Sequence, residues 1–482
     1  MTHGGGATPD EPSIYEEGDG NSGRVIQIAV VAAMGGLLFG YDSAVINGAT
    51  KAIEGYFDIH GYTLGFAVAS ALLGAAAGAM TAGRIADRIG RLRVMQIAAI
   101  LFLASAVGCA FAYDLWVLIV FRIVGGIGVG VASVIAPAYI AEVSPARIRG
   151  RLGSLQQMAI VLGIFLSLLI DWLLASLAGG ASNELWLGLE AWRWMFLVMA
   201  IPAIVYGVAS TMIPESPRYL VARHRIPEAR RVLSMLLGEK NLDITVHRIE
   251  ESLAGEQKHS WRDLIKPGGG VYPIVWVGLL LSIFQQAVGI NVIFYYSNML
   301  WQAVGFKESQ SNIISVFTSI VNVLVTIVAI LLVDRIGRRP LLLIGSIGMA
   351  VSLATMAVCF STATIGADGA PALGGAVGVI ALIAANLFVI FFGVSWGPVV
   401  WVLLGEMFPN RIRGAALSLA AAAQWAANWA ITVTFPKMEG NLTLAYGLYA
   451  LFALLSLFFV YRFVPETRGK SLEDMDGSVP AR

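Results

Sequence analysis

The chain has 482 residues, 57% of them hydrophobic and 13% charged, and its 32 Lys plus Arg against 31 Asp plus Glu leave a net charge of +1. Charged residues make up about a quarter of an ordinary water-soluble domain, so a soluble enzyme of this length is excluded. The near-zero balance argues against a nucleic-acid or polyanion partner.

In chain order, residues 1–23 are rich in Gly, Asp, Glu and Pro and lack the cationic start and apolar core of a secretory signal, so they read as a disordered tail. Apolar blocks of membrane-spanning length follow at 25–46, 62–82, 94–112, 117–140, 152–177 and 192–213. A polar linker, 214–270, is expected to form short helices capping one face. Six more blocks lie at 271–301, 312–333, 340–361, 373–403, 415–435 and 443–464, and a second tail covers 465–482. The expected fold is all-α, with twelve transmembrane helices in two six-helix bundles, 24–213 and 271–464.

The cations set the orientation. With a cytoplasmic N-terminus, 27 of them fall in the tails and even-numbered joints, and only Lys51, Arg193, Lys307 and Lys437 fall in the others. The positive-inside rule then places both termini in the cytoplasm of a multi-pass plasma-membrane protein. Arg122 alone is left inside a span. Cys109 and Cys359 lie in apolar runs and all five histidines outside them, so no metal site or cofactor is expected.

The halves repeat. Asp87-Arg88-Ile-Gly90-Arg91 returns as Asp334-Arg335-Ile-Gly337-Arg338, Glu142-Val-Ser-Pro-Ala-Arg147-Ile-Arg149 as Glu406-Met-Phe-Pro-Asn-Arg411-Ile-Arg413, and Pro214-Glu215-Ser-Pro as Pro465-Glu466-Thr, at spacings of 247, 264 and 251 residues. Three matches in order, each near half the chain length, indicate two similar bundles arranged as parallel repeats.

These motifs, with Gln285-Gln286-Ala-Val-Gly-Ile-Asn291, Phe39-Gly-Tyr-Asp42, Trp396-Gly-Pro and Gln424-Trp425, closely resemble the sugar porter branch of the major facilitator superfamily over nearly all of residues 25–475. Within that branch the likeness is to bacterial proton-coupled glucose permeases and the xylose-proton symporter. The resemblance implies alternating access by a monomer in the lipid bilayer, with a monosaccharide and a proton as cargo.

A monosaccharide needs groups that both donate and accept, and an apolar surface for its ring. Side-chain amides and indoles supply these. The candidates are Gln157 in the fifth span, Gln285, Gln286 and Asn291 in the seventh, Asn322 in the eighth, Trp396 in the tenth, and Gln424, Trp425 and Asn428 in the eleventh, with Phe39 shaping the cavity. These spans read as carrying no acid or lysine at midplane depth, which suits a neutral polyol. Asn and Gln also join membrane helices, which is the competing reading. Gly289 interrupts the seventh span ahead of Tyr295 and Tyr296. By resemblance, Tyr295, with Tyr296 beside it, belongs to an outer gate, with packing at the outer interface as the alternative.

Asp42 stands in the outer part of the first span, where an unpaired carboxylate is costly, and Arg122 is its natural partner. Such a pair suits a proton carrier whose charge changes as the pocket opens and closes; a static pair is the alternative. On the cytoplasmic side, Arg84, Asp87, Arg88, Arg91, Glu142, Arg149, Glu215, Arg335, Arg338, Glu406, Arg413 and Glu466 are expected to form a latch between the bundles. Glucose is the expected cargo. Xylose, another hexose or pentose, and facilitative uniport remain open at this point.

Overall fold

A computed structural model describes residues 22–144, 149–238, 241–255, 260–367, 371–409, 412–468 and 476–480. The side chains of Arg149, Arg151, Asp334 and Arg413 lie outside the described residues. Eleven apolar helical runs are long enough to cross a membrane. The last of them, Ala415–Phe463, folds as two helices, Arg413–Met438 and Leu442–Phe463, around a short 3-10 turn, which makes twelve spans. Among the described residues the linker holds three short α-helices, Pro217–Ala222, Ile226–Leu237 and Leu242–Ala254, and a 3-10 helix, Trp261–Leu264.

The first span runs further than the hydropathy pattern suggested. It covers Gly23–Phe57 and is divided at Val45 into the helices Ser22–Ala44 and Ile46–Phe57. The seventh is broken between Pro273–Ala287 and Ile290–Tyr295, where Gly289 has a φ of 83°. The tenth is broken at Ser395, between Gly375–Val394 and Trp396–Glu406. Val45 keeps helical dihedrals, whereas Gly289 and Ser395 do not, and irregular backbone at this depth is tolerated where protein or a wet cavity surrounds it. Small residues bring the second and fourth spans together: a Cβ at Gly74, Gly78, Gly126 or Gly130 would run into backbone of the facing helix.

The sequence repeat becomes two matching clusters on the face that carries the linker, here termed the linker face. In the first half, Arg91 forms a two-point contact with Glu142 at 3.0 and 2.8 Å and donates to the Ala86 carbonyl at 3.2 Å. In the second half, Arg338 does the same with Glu406 at 3.1 and 2.8 Å and with the Val333 carbonyl at 3.3 Å. Glu215 accepts from the backbone amides of Arg91 and Leu92 at 3.2 and 3.4 Å, and Glu466 from those of Arg338 and Arg339 at 3.2 and 3.1 Å. Each carboxylate thus satisfies the orphan amides at a helix start, where the helix dipole also favours negative charge. Burial holds the Glu215 carboxyl above its usual range, and the amides and Arg91 pull it back only in part.

The glycine of each motif follows from this geometry. Gly90 and Gly337 both have φ of 98°, and a Cβ at either would crowd the Glu215 or Glu466 carboxylate. We predict that Gly90→Ala destabilises the protein by about 1–3 kcal/mol through backbone strain and displacement of Glu215, seen as a lowered thermal transition of the detergent-solubilised protein. An unchanged transition would contradict this account of the motif.

Candidate functional site

The amides of the seventh span organise the site. Gln285 donates from Nε2 to the carbonyls of Trp396 at 2.9 Å and Gly397 at 3.1 Å, in the first turn of the tenth span's second helix, Trp396–Glu406. Its Oε1 accepts from Gln424 of the eleventh span and, at 3.5 Å, from Gln286. Asn291 donates to Gln286, which carries the chain of amides across the break at Gly289. Beyond it, Tyr295 lies close to Asn428, whose Oδ1 accepts from Thr432 at 3.1 Å. Gln285, Gln286, Asn291 and Gln424 therefore form one hydrogen-bonded chain, and Asn428 follows Gln424 by four residues on the eleventh span. Gln424 Oε1 and the indole N–H of Trp429 are buried and meet no protein partner among the described residues.

Trp429 was missed in the sequence, although it continues the helical face set by Gln424, Trp425 and Asn428. Trp425, Phe39 and Asn322 are partly exposed, and Gln157 is exposed. Its neighbour Gln156 is buried and pressed against Gly36 of the first span. Two expectations need correction. Trp396 is completely buried, and its N–H donates to the Leu342 carbonyl at 3.2 Å and Ser346 at 2.9 Å, so it is not open to a sugar. Its contribution here is the carbonyl that holds Gln285. Tyr296 is likewise buried, with its hydroxyl on the Thr432 carbonyl at 2.7 Å and its ring against Phe435.

Asp42 and Arg122 are 1% and 3% exposed. The expected carboxylate–guanidinium bridge is not formed. Arg122 donates instead to the backbone carbonyls of Asp42 at 3.2 Å and Val68 at 3.0 Å, while Asp42 Oδ2 and Arg122 Nε lack partners among the described residues. Gly125 leaves room for the carboxyl: a Cβ there would lie 3.0 Å from Asp42 Oδ1.

The expected latch also differs. Arg91, Glu142 and Glu215, and separately Arg338, Glu406 and Glu466, stay within their own halves, and Asp87 pairs with Arg91 at 3.2 Å. Arg84, Arg88 and Arg335 are exposed with no side-chain partner among the described residues. The described polar contacts between the halves lie instead at the opposite face. Lys51 meets Glu439 at 2.8 Å, Asn47 donates to Ser297 at 2.7 Å, the Asn298 amide donates to Asn47 Oδ1 at 3.0 Å, and Glu308 accepts from the Ala181 amide at 2.8 Å. Asn298 also binds Asn312 at 2.6 Å and Ser315 at 3.3 Å. The halves are thus joined at the face away from the linker, and the charged clusters brace each bundle internally.

The family model described as "Sugar (and other) transporter" matches residues 28–478. The chain belongs to that family. It is 53% identical over 454 residues to a glucose transport protein of Synechocystis sp., covering 94% of this chain and 97% of that one. It is 38% identical over 490 residues to the D-xylose-proton symporter of Escherichia coli, covering 95% and 96%. Among solved structures, the inward open conformation of the xylose transporter XylE from E. coli matches with a TM-score of 0.80 at 36% identity, covering 94% of this chain and 99% of that one. The sugar porter family consists of transport proteins, not enzymes, and the fold is the twelve-helix fold of the major facilitator superfamily.

The joined face yields a prediction. Asn298→Ala removes the side-chain bond to the Asn47 carbonyl at 3.4 Å, worth about 1 kcal/mol, together with the bonds to Asn312 and Ser315 that hold the side chain in place, and so favours parting of the halves there. Spin labels at Gly55→Cys and Gly440→Cys, where an added Cβ meets nothing within 4 Å, are expected to show a larger long-distance population in Asn298→Ala. No change in the distance distribution would remove this contact from the account.

Proposed function

We propose that this chain carries a monosaccharide into the cell together with a proton, by alternating access, with D-glucose as the cargo. The observations that carry the reading are the chain of amides held between the seventh, tenth and eleventh spans and the buried Asp42 and Arg122 of the first half. The similarity to a glucose transport protein supports the sugar, and the similarity to a D-xylose-proton symporter supports the proton. The distribution of Lys and Arg supports cytoplasmic termini. With that orientation the joined face is extracellular and the structure is inward-facing, in accord with its likeness to an inward open XylE.

The mechanism follows from charge in a dry place. An ionised Asp42 attracts Arg122, and protonation from outside releases that attraction. Arg122 can then be held by backbone carbonyls, as it is here, while Asp42 is neutral. Gln424, Gln286, Asn291 and Asn428 offer the sugar both donors and acceptors, Tyr295 closes over it, and the halves rock until the cavity opens inward. Water reaching Asp42 then favours its ionised form and proton release. In this scheme residues 1–23 and 465–482 are cytoplasmic tails, 24–213 and 271–464 are the moving bundles, and 214–270 joins them.

Proteoliposomes test the coupling. Sugar added outside is expected to alkalinise the external solution with the wild type, and Asp42→Asn is expected to reduce this at least tenfold while sugar exchange continues. An Asp42→Asn protein that still takes up protons with sugar would overturn the reading.

A further inference from the structure

Asp171 was not singled out in the sequence, where these spans read as carrying no acid at midplane depth. It lies near the outer end of the fifth span, Ser154–Ala178, and is 1% exposed. Its Oδ2 accepts from the backbone amide of Gly48 at 3.1 Å. Its Oδ1 is buried and meets no donor among the described residues. The contact needs a glycine, since a Cβ at position 48 would overlap the Asp171 side chain. Gly48 belongs to the outer helix of the first span, Ile46–Phe57, beyond the break at Val45. The same helix carries Asn47 and Lys51, which reach across to the other half. Asp171 therefore seats the helix on which closure of this face depends.

The charged groups around it are committed elsewhere. On Ile46–Phe57, Lys51 binds Glu54 at 3.7 Å and Glu439 at 2.8 Å. In the sixth span, Arg193 binds Glu190 and the carbonyls of Ala110 and Ala112 at 3.1 and 2.6 Å. At the start of the eighth, Glu308 accepts from the Ala181 amide. In the first span, Tyr41 is the nearby titratable group and its hydroxyl donates to the Met195 carbonyl at 2.9 Å, while Asp42, next to it in sequence, has Arg122 for company. No cation among the described residues pairs with Asp171. A bare carboxylate in this position would be desolvated without a counter-ion, whereas the neutral acid loses far less.

We propose that Asp171 is a second proton-binding site, separate from Asp42, whose neutral form holds the outer helix of the first span in place and thereby keeps the extracellular face closed. When Ile46–Phe57 swings out, water reaches the carboxyl and it ionises; closing requires that a proton return. Because both steps exchange with the external solution, the site carries no proton across the membrane and makes closure respond to external pH. The closed state binds one more proton than the open state, so acid favours closure and alkali favours opening, by up to about tenfold per pH unit within the titration window.

The inference stands apart from the Asp42 reading, and the test keeps them apart. Spin labels at Gly55→Cys and Gly440→Cys, in a chain with Cys109→Ala and Cys359→Ala, report the distance across the outer face as pH is raised. In an Asp42→Asn background the closed-to-open ratio is expected to fall several-fold or more on alkalinisation. Adding Asp171→Asn, which keeps the acceptor for Gly48 and cannot ionise, is expected to leave the ratio high and flat. A flat ratio in the Asp42→Asn background overturns the proposal without recourse to any Asp171 variant, as does an unchanged titration in Asp171→Asn.

Discussion

A guanidinium buried among membrane helices has to be satisfied by something, and what satisfies Arg122 organises the rest of this protein. Here its partners are the carbonyls of Asp42 and Val68, on the first and second spans, and not the carboxylate beside it. Those carbonyls can hold the cation without neutralising it. The Asp42 carboxyl is thereby left as the adjustable member of the pair. In a low-dielectric interior a change of one proton there strongly alters the field at Arg122, which donates to the Asp42 carbonyl.

The broken spans give this electrostatic change something to move. The breaks at Val45, Gly289 and Ser395 separate helices that face the central surface from the segments that close it. Gln285 fastens the seventh span to the carbonyls of Trp396 and Gly397 in the tenth. Asn47, Lys51, Ser297 and Asn298 lie beyond Val45 and Gly289, on the face away from the linker. The paired charge clusters on the other face brace each half as one body.

Much of this was legible in the sequence because it rests on residue types that membranes tolerate only for a reason. The two bundles were visible in the repeats at Asp87, Glu142 and Glu215, and the structure gives those repeats matching hydrogen bonds down to the helix-start amides. The amide-rich spans were visible for the same reason. What could not be read was direction. Trp396 has the composition of a sugar contact, yet its N–H points to Leu342 and Ser346. Gln156 and Gln157 are neighbours of one chemical type, and only the backbone decides which is buried. The charged motifs looked like a latch because sequence shows proximity to helix ends without showing across which gap a side chain reaches. Asp171 was lost because it sits near the end of a long apolar run, where its depth depends on how far the helix continues.

The central claim is that the free energy of a proton gradient is delivered to a sugar. In sealed proteoliposomes holding the wild-type protein, an imposed inward proton gradient with sugar at equal concentration on both sides is expected to drive sugar inward until its concentration ratio rises with the size of the gradient. Sugar that stays at equal concentrations whatever gradient is imposed would show that the protein is a uniporter, and the account given for Asp42 and Arg122 would be wrong.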